Sequence, residues 1–381
     1  MINPYHLLNE EQLEIQALVR EFCEKYVRPI VKDCDEKSYF PMDVYEKICD
    51  LGINGMYIPE EFGGLGLDLK TQCIVREEIG KVDPGFSIGV GASSLAFTPV
   101  LLAGNEKQKK LYADHILNKG LASYCLTEPD GGSDAAHQRT TAKKVGNEYV
   151  INGAKCFITN GPVSTLYTVF ASTDKDLGAK GVSAFIVERD RPGVSVGKHE
   201  DKLGIRSSET SDVIFEDVVV PAENLVGKEG EGFKIAMNTL NRTRPLGNAT
   251  VVGIMQACID YSVEYAKQRV VFGKPISKFQ AVQFMLADME MKTIAARQMC
   301  WYVAELITNG ITDPGIGAST KCFVSDLAQS VTTDAVQILG GYGYSREYPV
   351  EKLMRDAKIF QIFEGTNQIQ RMTIANAMLK D

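Results

Sequence analysis

Basic excess, clustered histidines, paired cysteines and a nucleotide-binding glycine fingerprint are all missing from this chain of 381 residues. Lysine and arginine number 41 against 49 acidic residues, a net charge of −8. Nothing is left over to neutralise a phosphate backbone or an anionic lipid surface, which argues against nucleic acid or a membrane as the main partner. The four histidines (6, 115, 137, 199) are scattered and lack metal-ligand spacing, so no metal site is expected. Nine cysteines never approach the Cys-x-x-Cys spacing and read as small core residues of a reducing compartment. No apolar run is expected to reach the roughly 20 residues of a membrane-spanning helix. The opening Met1-Ile2-Asn3-Pro4 begins no secretory or transit peptide. A cytoplasmic location follows, and the glycosylation-like triplets Asn241-Arg242-Thr243 and Asn248-Ala249-Thr250 are then accidental. No Gly-x-Gly-x-x-Gly opens a βαβ unit, which excludes direct use of NAD.

What is there is an ordinary globular composition, 44% hydrophobic and 24% charged, on a chain long enough for two or three domains. Asn9 with Gln12 forms a capping box, and Ile15, Leu18, Val19, Phe22 and Tyr26 keep helical spacing until Pro29. Helical patterns recur to about residue 120, broken by Gly63-Gly64-Leu65-Gly66 and Asp83-Pro84-Gly85. After Leu121 the pattern turns to strands. Asn152-Gly153 reads as a hairpin turn between 149–151 and 155–159, with further strands at 166–171, 182–187, 194–196 and 213–220. From Gly232 long helical patterns return, punctuated by Pro275, Pro314 and Pro349. The expected domains are helical (1–121), all-β (122–231) and helical (232–381).

Chemistry concentrates near the C-terminus, in Arg355-Asp-Ala-Lys-Ile-Phe-Gln-Ile-Phe-Glu364-Gly-Thr-Asn-Gln-Ile-Gln-Arg371. Glu364 follows Ile362 and Phe363, and a carboxylate in an apolar wall resists ionising, which tunes it as a base near neutrality. Gly365 permits close approach of a ligand, and Thr366 can open a helix. Alone, Glu-Gly-Thr is also an ordinary solvated helix start. The segment Tyr124-Cys-Leu-Thr-Glu-Pro-Asp-Gly-Gly-Ser133-Asp134 offers glycines and hydroxyls to a pyrophosphate-bearing ligand, or is simply a connecting loop. Phe157 is equally readable as a core strand aromatic, and Arg269 as a surface arginine at a helix end. Gly85-Phe-Ser87-Ile-Gly89 fits the hydrolase pattern Gly-x-Ser-x-Gly, but no strand precedes it.

The C-terminal run closely resembles the motif of the acyl-CoA dehydrogenase family, and the α, β, α order matches that family over nearly the whole chain. The resemblance implies an α+β multidomain fold: an N-terminal helical domain, a middle β-barrel and a C-terminal four-helix bundle. It implies FAD as cofactor and Glu364 as catalytic base. Tyr124, Leu126, Thr127, Gly132 and Ser133 then form one flavin segment, with Ser133 also serving substrate. Phe157, Ile158 and Thr159 form a second, Phe157 standing where many relatives carry Trp. Arg269-Val-Val-Phe272-Gly273 with Gln280, and Gln337-Ile-Leu-Gly340-Gly341, resemble elements that reach the flavin of a neighbouring subunit in a dimer of dimers. Thr366 and Gln368 belong to the cofactor set as well. Asn241-Arg242-Thr243-Arg244-Pro245 resembles the substrate helix, with Arg244 beside the coenzyme A arm and Asn241 where many relatives have Asp. Some branches keep their base at the position of Thr243, which leaves Glu364 as the base candidate here. Phe363, where many relatives have Tyr, and Gly365 complete the substrate set.

The implied reaction is α,β-dehydrogenation of an acyl-CoA to a trans-2-enoyl-CoA, with electrons passed to an electron-transfer flavoprotein. Two hydrogen bonds polarise the thioester carbonyl, from a flavin ribityl hydroxyl and from the backbone N–H of the base. The run 86–99, uncharged through Leu102, favours an apolar acyl group over a dicarboxylic one, which would want an arginine. The expected substrate is a short- to medium-chain linear acyl-CoA, in a bacterial cytoplasm. The alternatives are a branched, cyclic or aromatic acyl group, or an enoyl-CoA reductase of the same fold in an anaerobe.

Overall fold

Asn9 caps the first helix as its pattern predicts: Gln12 N donates to Asn9 Oδ1 (2.8 Å), and Asn9 N donates back to Gln12 Oε1 (3.3 Å). The structure, a computed structural model, describes residues 5–380, so the expectation for Met1-Ile2-Asn3-Pro4 lies outside the described residues. Helix α1 (Glu10–Phe22) does not stop at Pro29. It runs on through a π turn (Cys23–Val27) and a 3-10 turn (Arg28–Ile30) into α2 (Val31–Lys37). Pro29 sits in the first turn of that 3-10 segment, where its missing N–H costs nothing. Helices α3 (Met42–Cys49), α4 (Leu69–Val82), α5 (Pro84–Ala103) and α6 (Glu106–Leu117) complete the N-terminal part. Asp83 separates α4 from α5 and accepts from Gly85 N at 3.0 Å.

Helix α5 corrects one expectation. Its 20 residues are long and apolar enough to cross a membrane, yet most of it is buried. The uncharged run exists because α5 threads the interior, between the helical parts and β1. Ser87 lies buried on this helix, beside Thr250 Oγ1 at 2.9 Å, far from a nucleophile elbow.

The middle part is one eight-stranded sheet of β1 (Ala122–Cys125), β2 (Thr141–Val145), β3 (Glu148–Thr159), β4 (Leu166–Ser172), β5 (Val182–Glu188), β6 (Val194–His199), β7 (Thr210–Pro221) and β8 (Leu225–Val226). Its order is β6-β7-β3-β2-β4-β5-β8, with β1 parallel to β4, and the edge strands β6 and β8 do not pair with each other. The expected hairpin at Asn152-Gly153 is wrong. β3 runs straight through it, and the turn lies at Gly146-Asn147 instead, with Gly146 at φ 62°. Asn152 and Gly153 form a bulge against β7, where Asn152 exchanges hydrogen bonds with Asp217 and a side chain at Gly153 would strike Thr140.

The C-terminal part holds α7 (Gly232–Gln268), a short ribbon of β9 (Val270–Val271) and β10 (Lys274–Pro275), then α8 (Gln280–Thr308), α9 (Pro314–Leu339), α10 (Val350–Ala357) and α11 (Asn367–Met378). Apolar residues of α7, α8, α9 and α10 share one core, including Val251, Ile254, Ala296, Val324, Ala328 and Leu353. Helices α4 and α7 cross at glycines. A Cβ at Gly80 would meet Thr250 O at 2.6 Å, and one at Gly253 would meet Glu77 O at 2.3 Å. That close crossing brings the middle of α4 up to the substrate-helix segment of α7. It also buries charge: Arg297, 1% exposed, holds Glu77 at 2.9 Å, and Arg20 holds Glu78 at 2.7 Å. All nine cysteines are buried and unpaired.

Candidate active site

The three parts meet around one cavity of about 250 Å³. Leu126, Thr127, Gly132 and Ser133 line it from the loop after β1, with Tyr124 from β1 itself. Phe157, Ile158 and Thr159 close a second side, Thr243 and Arg244 a third, and Phe363, Glu364 and Gly365 a fourth. Residues separated by more than two hundred positions are thus brought together.

Each group is held locally. Cys156 N donates to Thr127 O at 2.9 Å, tying the two segments expected to face the flavin to each other. Lys155, fully buried, donates to Glu128 Oε1 at 2.7 Å, to Leu126 O at 3.3 Å and to Gln138. Glu128 in turn accepts from the backbone of Arg139 and Thr140, so one buried ion pair fastens both ends of the 126–140 loop. Burial lowers the Lys155 ammonium to about 8, against the opposing pull of Glu128. A register shift between Lys155 and Ile158 forces Phe157 into the left-handed region at φ 55°. Its ring is 65% exposed and faces the cavity, which rules out the core-aromatic reading.

Glu364 occupies a strained turn, with φ 54° at Glu364 and 88° at Gly365. A non-glycine residue in that region costs roughly 1–2 kcal/mol. The turn is locked from behind. Gln370 Nε2 donates to Glu364 O (3.1 Å) and Gly365 O (3.0 Å), and Lys321 Nζ donates to Gly365 O and Asn367 Oδ1, each at 2.8 Å. Thr366 caps α11, accepting from Ile369 N at 3.3 Å. The Glu364 N–H meets no acceptor among the described residues. The side chain keeps some surface open to the cavity, but protein surrounds the carboxylate and pushes its pKa up by desolvation; Arg244, Lys321 and Arg76 pull it back down. A Cβ on Gly247 would lie 3.7 and 3.9 Å from its oxygens, so α7 passes directly beside it. Among the cavity-lining residues Glu364 is the sole carboxylate. Asn241 Oδ1 accepts from Arg244 Nη1 at 2.6 Å, a neutral hydrogen-bond partner.

Other expected residues lie elsewhere. Arg269, Gly340 and Gly341 line a second, more open cavity with Tyr265, and the Arg269 guanidinium lies over the Tyr342 ring at 5.7 Å. Phe272 is 94% exposed, and Gln280, Gln337 and Gln368 are exposed as well. None of these lines the first cavity on this chain.

Two residues were missed. Lys321 looks like any helix lysine in the sequence. Arg76 precedes Glu77-Glu78 and reads as part of a solvated face, yet it is buried and lines the cavity. The uncharged wall expected from 86–99 is therefore corrected: α5 contributes no charge, but α4 inserts one, lying against Gly91 where any Cβ would fall 2.1 Å from Arg76 Nη1.

The cavity suits a flavin. It offers an open aromatic face at Phe157, a buried Tyr124 hydroxyl without a partner, the Thr127, Ser133 and Thr159 side chains, and empty space in front of Gly132. Sequence models of the acyl-CoA dehydrogenase N-terminal, middle and C-terminal domains match residues 9–119, 123–218 and 230–379. A probable acyl-CoA dehydrogenase of Mycobacterium tuberculosis is 47% identical over 375 residues, 98% of this chain and 96% of that one. Butyryl-CoA dehydrogenase from Megasphaera elsdenii superimposes with TM-score 0.96 at 43% identity over all of both chains. A chain from the electron transferring flavoprotein work on Acidaminococcus fermentans, towards a mechanism of flavin-based electron bifurcation, has TM-score 0.96 and 46% identity, covering 99% of this chain and 100% of its own.

Proposed function

This chain belongs to the acyl-CoA dehydrogenase family, and from that premise we propose that Glu364 is the base that takes the α proton of a bound acyl-CoA. The protein is an FAD-dependent oxidoreductase. The observation that carries the assignment is the single cavity joining Glu364 to Thr127 and Thr159, with no other carboxylate on its wall.

The residues divide the work as follows. FAD, when bound, supplies the two-electron acceptor for the β hydrogen, which departs as hydride. Glu364 receives the α proton, and its raised pKa brings it closer to the acid it must deprotonate. The unpaired Glu364 N–H is a donor for the thioester oxygen, where enolate charge develops. Arg244, Lys321 and Arg76 keep enough positive potential nearby for the carboxylate to stay available as a base. Phe157 and Phe363 keep the reacting carbons away from water. The product is a trans-2-enoyl-CoA.

A short- to medium-chain acyl group is supported by likeness to an acyl-CoA dehydrogenase of Megasphaera elsdenii named as short-chain specific, at 44% identity. Electrons would pass to an electron-transfer flavoprotein. The second cavity around Arg269 and the bare Phe272 ring support a dimer of dimers, in which each copy completes its neighbour's flavin site. Nine unpaired cysteines support a cytoplasmic location. The reverse reaction, enoyl-CoA reduction, keeps one point of support in the likeness to the Acidaminococcus fermentans chain.

Glu364→Gln tests the assignment. The variant should hold its yellow flavin, while anaerobic bleaching by an acyl-CoA slows by about a thousandfold. Bleaching at near wild-type rate would remove Glu364 from the role.

A further inference from the structure

Helix α4 carries three consecutive charges, and two of them are already matched. Glu77 is taken by Arg297 and Glu78 by Arg20. Arg76 has neither. It is 4% exposed, makes no ion pair among the described residues, and uses one donor, Nη1, on the Ser87 carbonyl. Its Nε is buried with no acceptor at all. Arginine carries five N–H donors and does not shed its proton in proteins, so a buried guanidinium left this way is costly unless something else meets it.

The chain makes room for it. Gly91 leaves the space that the guanidinium fills, on the one helix wall that has no charge of its own. Glu364 is the main opposite charge that Arg76 feels, but no hydrogen bond or ion pair joins the two, and Arg244 and Lys321 act on that carboxylate more strongly than Arg76 does. The cavity-lining charges are Arg76, Arg244 and Glu364, two positive and one negative, a surplus of one cation.

Building on the assignment of Glu364 and the acyl cavity above, we propose that the substrate's acyl chain ends in a carboxylate, and that Arg76 is the specificity-determining residue that receives it. An apolar chain end would bury this guanidinium against hydrocarbon. A carboxylate matches its planar fork and returns the cavity to charge balance.

The test uses the FAD-loaded enzyme and pairs of acyl-CoAs of equal chain length, one ending in methyl and one in carboxylate, such as hexanoyl-CoA and adipoyl-CoA. Anaerobic flavin bleaching should favour the carboxylate member by at least about 30-fold in kcat/KM. Arg76→Met should lower that member by about 100-fold, ~2.7 kcal/mol at 1.36 kcal/mol per decade, and lower the methyl member far less. Preference for the methyl member in the wild type, an equal loss on both in Arg76→Met, or preference for a keto-ended chain overturns the proposal. Should Arg76→Met lose its flavin, the Glu364→Gln holoenzyme decides by binding alone. Its affinity for adipoyl-CoA must exceed that for hexanoyl-CoA by a similar factor. That arm also separates two failures: bleaching of Glu364→Gln at near wild-type rate discards the base assignment, whereas binding without carboxylate preference discards only the role of Arg76.

Discussion

Replacing Lys321 by Met should move the acid limb of the reductive reaction to higher pH. Lys321 is 3% exposed and does two things at once: it braces the Glu364 turn and supplies positive charge to the carboxylate. Its own pKa is lowered to about 8, chiefly by burial, so below that pH it is cationic. A base must be ionised to accept a proton, and a nearby cation favours ionisation. Removing that cation raises the Glu364 pKa further, so a higher pH is needed to reach the same ionised fraction. Lys321 makes no direct contact with the carboxylate, so the shift is smaller than a contacting opposite charge would give. The structural loss is separate. Gly365 O keeps its bond from Gln370, but Asn367 Oδ1 loses a charged donor, for about 2–3 kcal/mol of stability. The assay is the rate of anaerobic flavin bleaching from pH 5.5 to 8, roughly the window in which Lys321 holds its charge, on wild type, Lys321→Met and Lys321→Arg. Lys321→Arg, which restores the charge, should return the limb toward wild type. An acid limb that stays in place in Lys321→Met, or moves to lower pH, refutes the electrostatic role and leaves only the brace.

Two further changes probe the walls of the cavity. Lys155→Met strands Glu128 in the interior and should destabilise the protein by about 3–5 kcal/mol, the usual cost of breaking a buried pair from one side; faster FAD release and a lower melting temperature are the readouts, and unchanged flavin retention would show that the 126–140 loop does not depend on it. Gly247→Val adds bulk beside the Glu364 oxygens, where a Cβ alone already reaches 3.7 Å, and should cut the bleaching rate by about tenfold or more while flavin binding persists.

Much of the fold was legible because its signals are local. The Asn9 box, the strand runs of the middle part and the long apolar periodicity after Gly232 each depend on neighbours within a few positions. The failures have a common origin too. Asn152-Gly153 has hairpin chemistry, but the register of β3 against β7 spends it on a bulge, while the plainer Gly146-Asn147 makes the turn. Pro29 breaks an α-helical pattern, yet a π turn and a 3-10 turn carry the chain past it. Tertiary pairing decides between local options that composition leaves equal.

The same reasoning explains why the sequence around Glu364 offers a candidate, which the family resemblance then singles out as the base, while Arg76 offers none. Glu364 stands beside its own apolar screen, Ile362 and Phe363, and before a glycine that its turn requires, so the environment is written into adjacent positions. Arg76 is surrounded in sequence by charges that suggest solvent. Its burial comes from Gly80 and Gly253, which let α4 sink against α7, and from Gly91 on a third helix, which leaves the hollow it fills. Each of those glycines is unremarkable where it stands. Only their convergence turns a surface-like Arg-Glu-Glu into two satisfied acids and one guanidinium facing the substrate cavity.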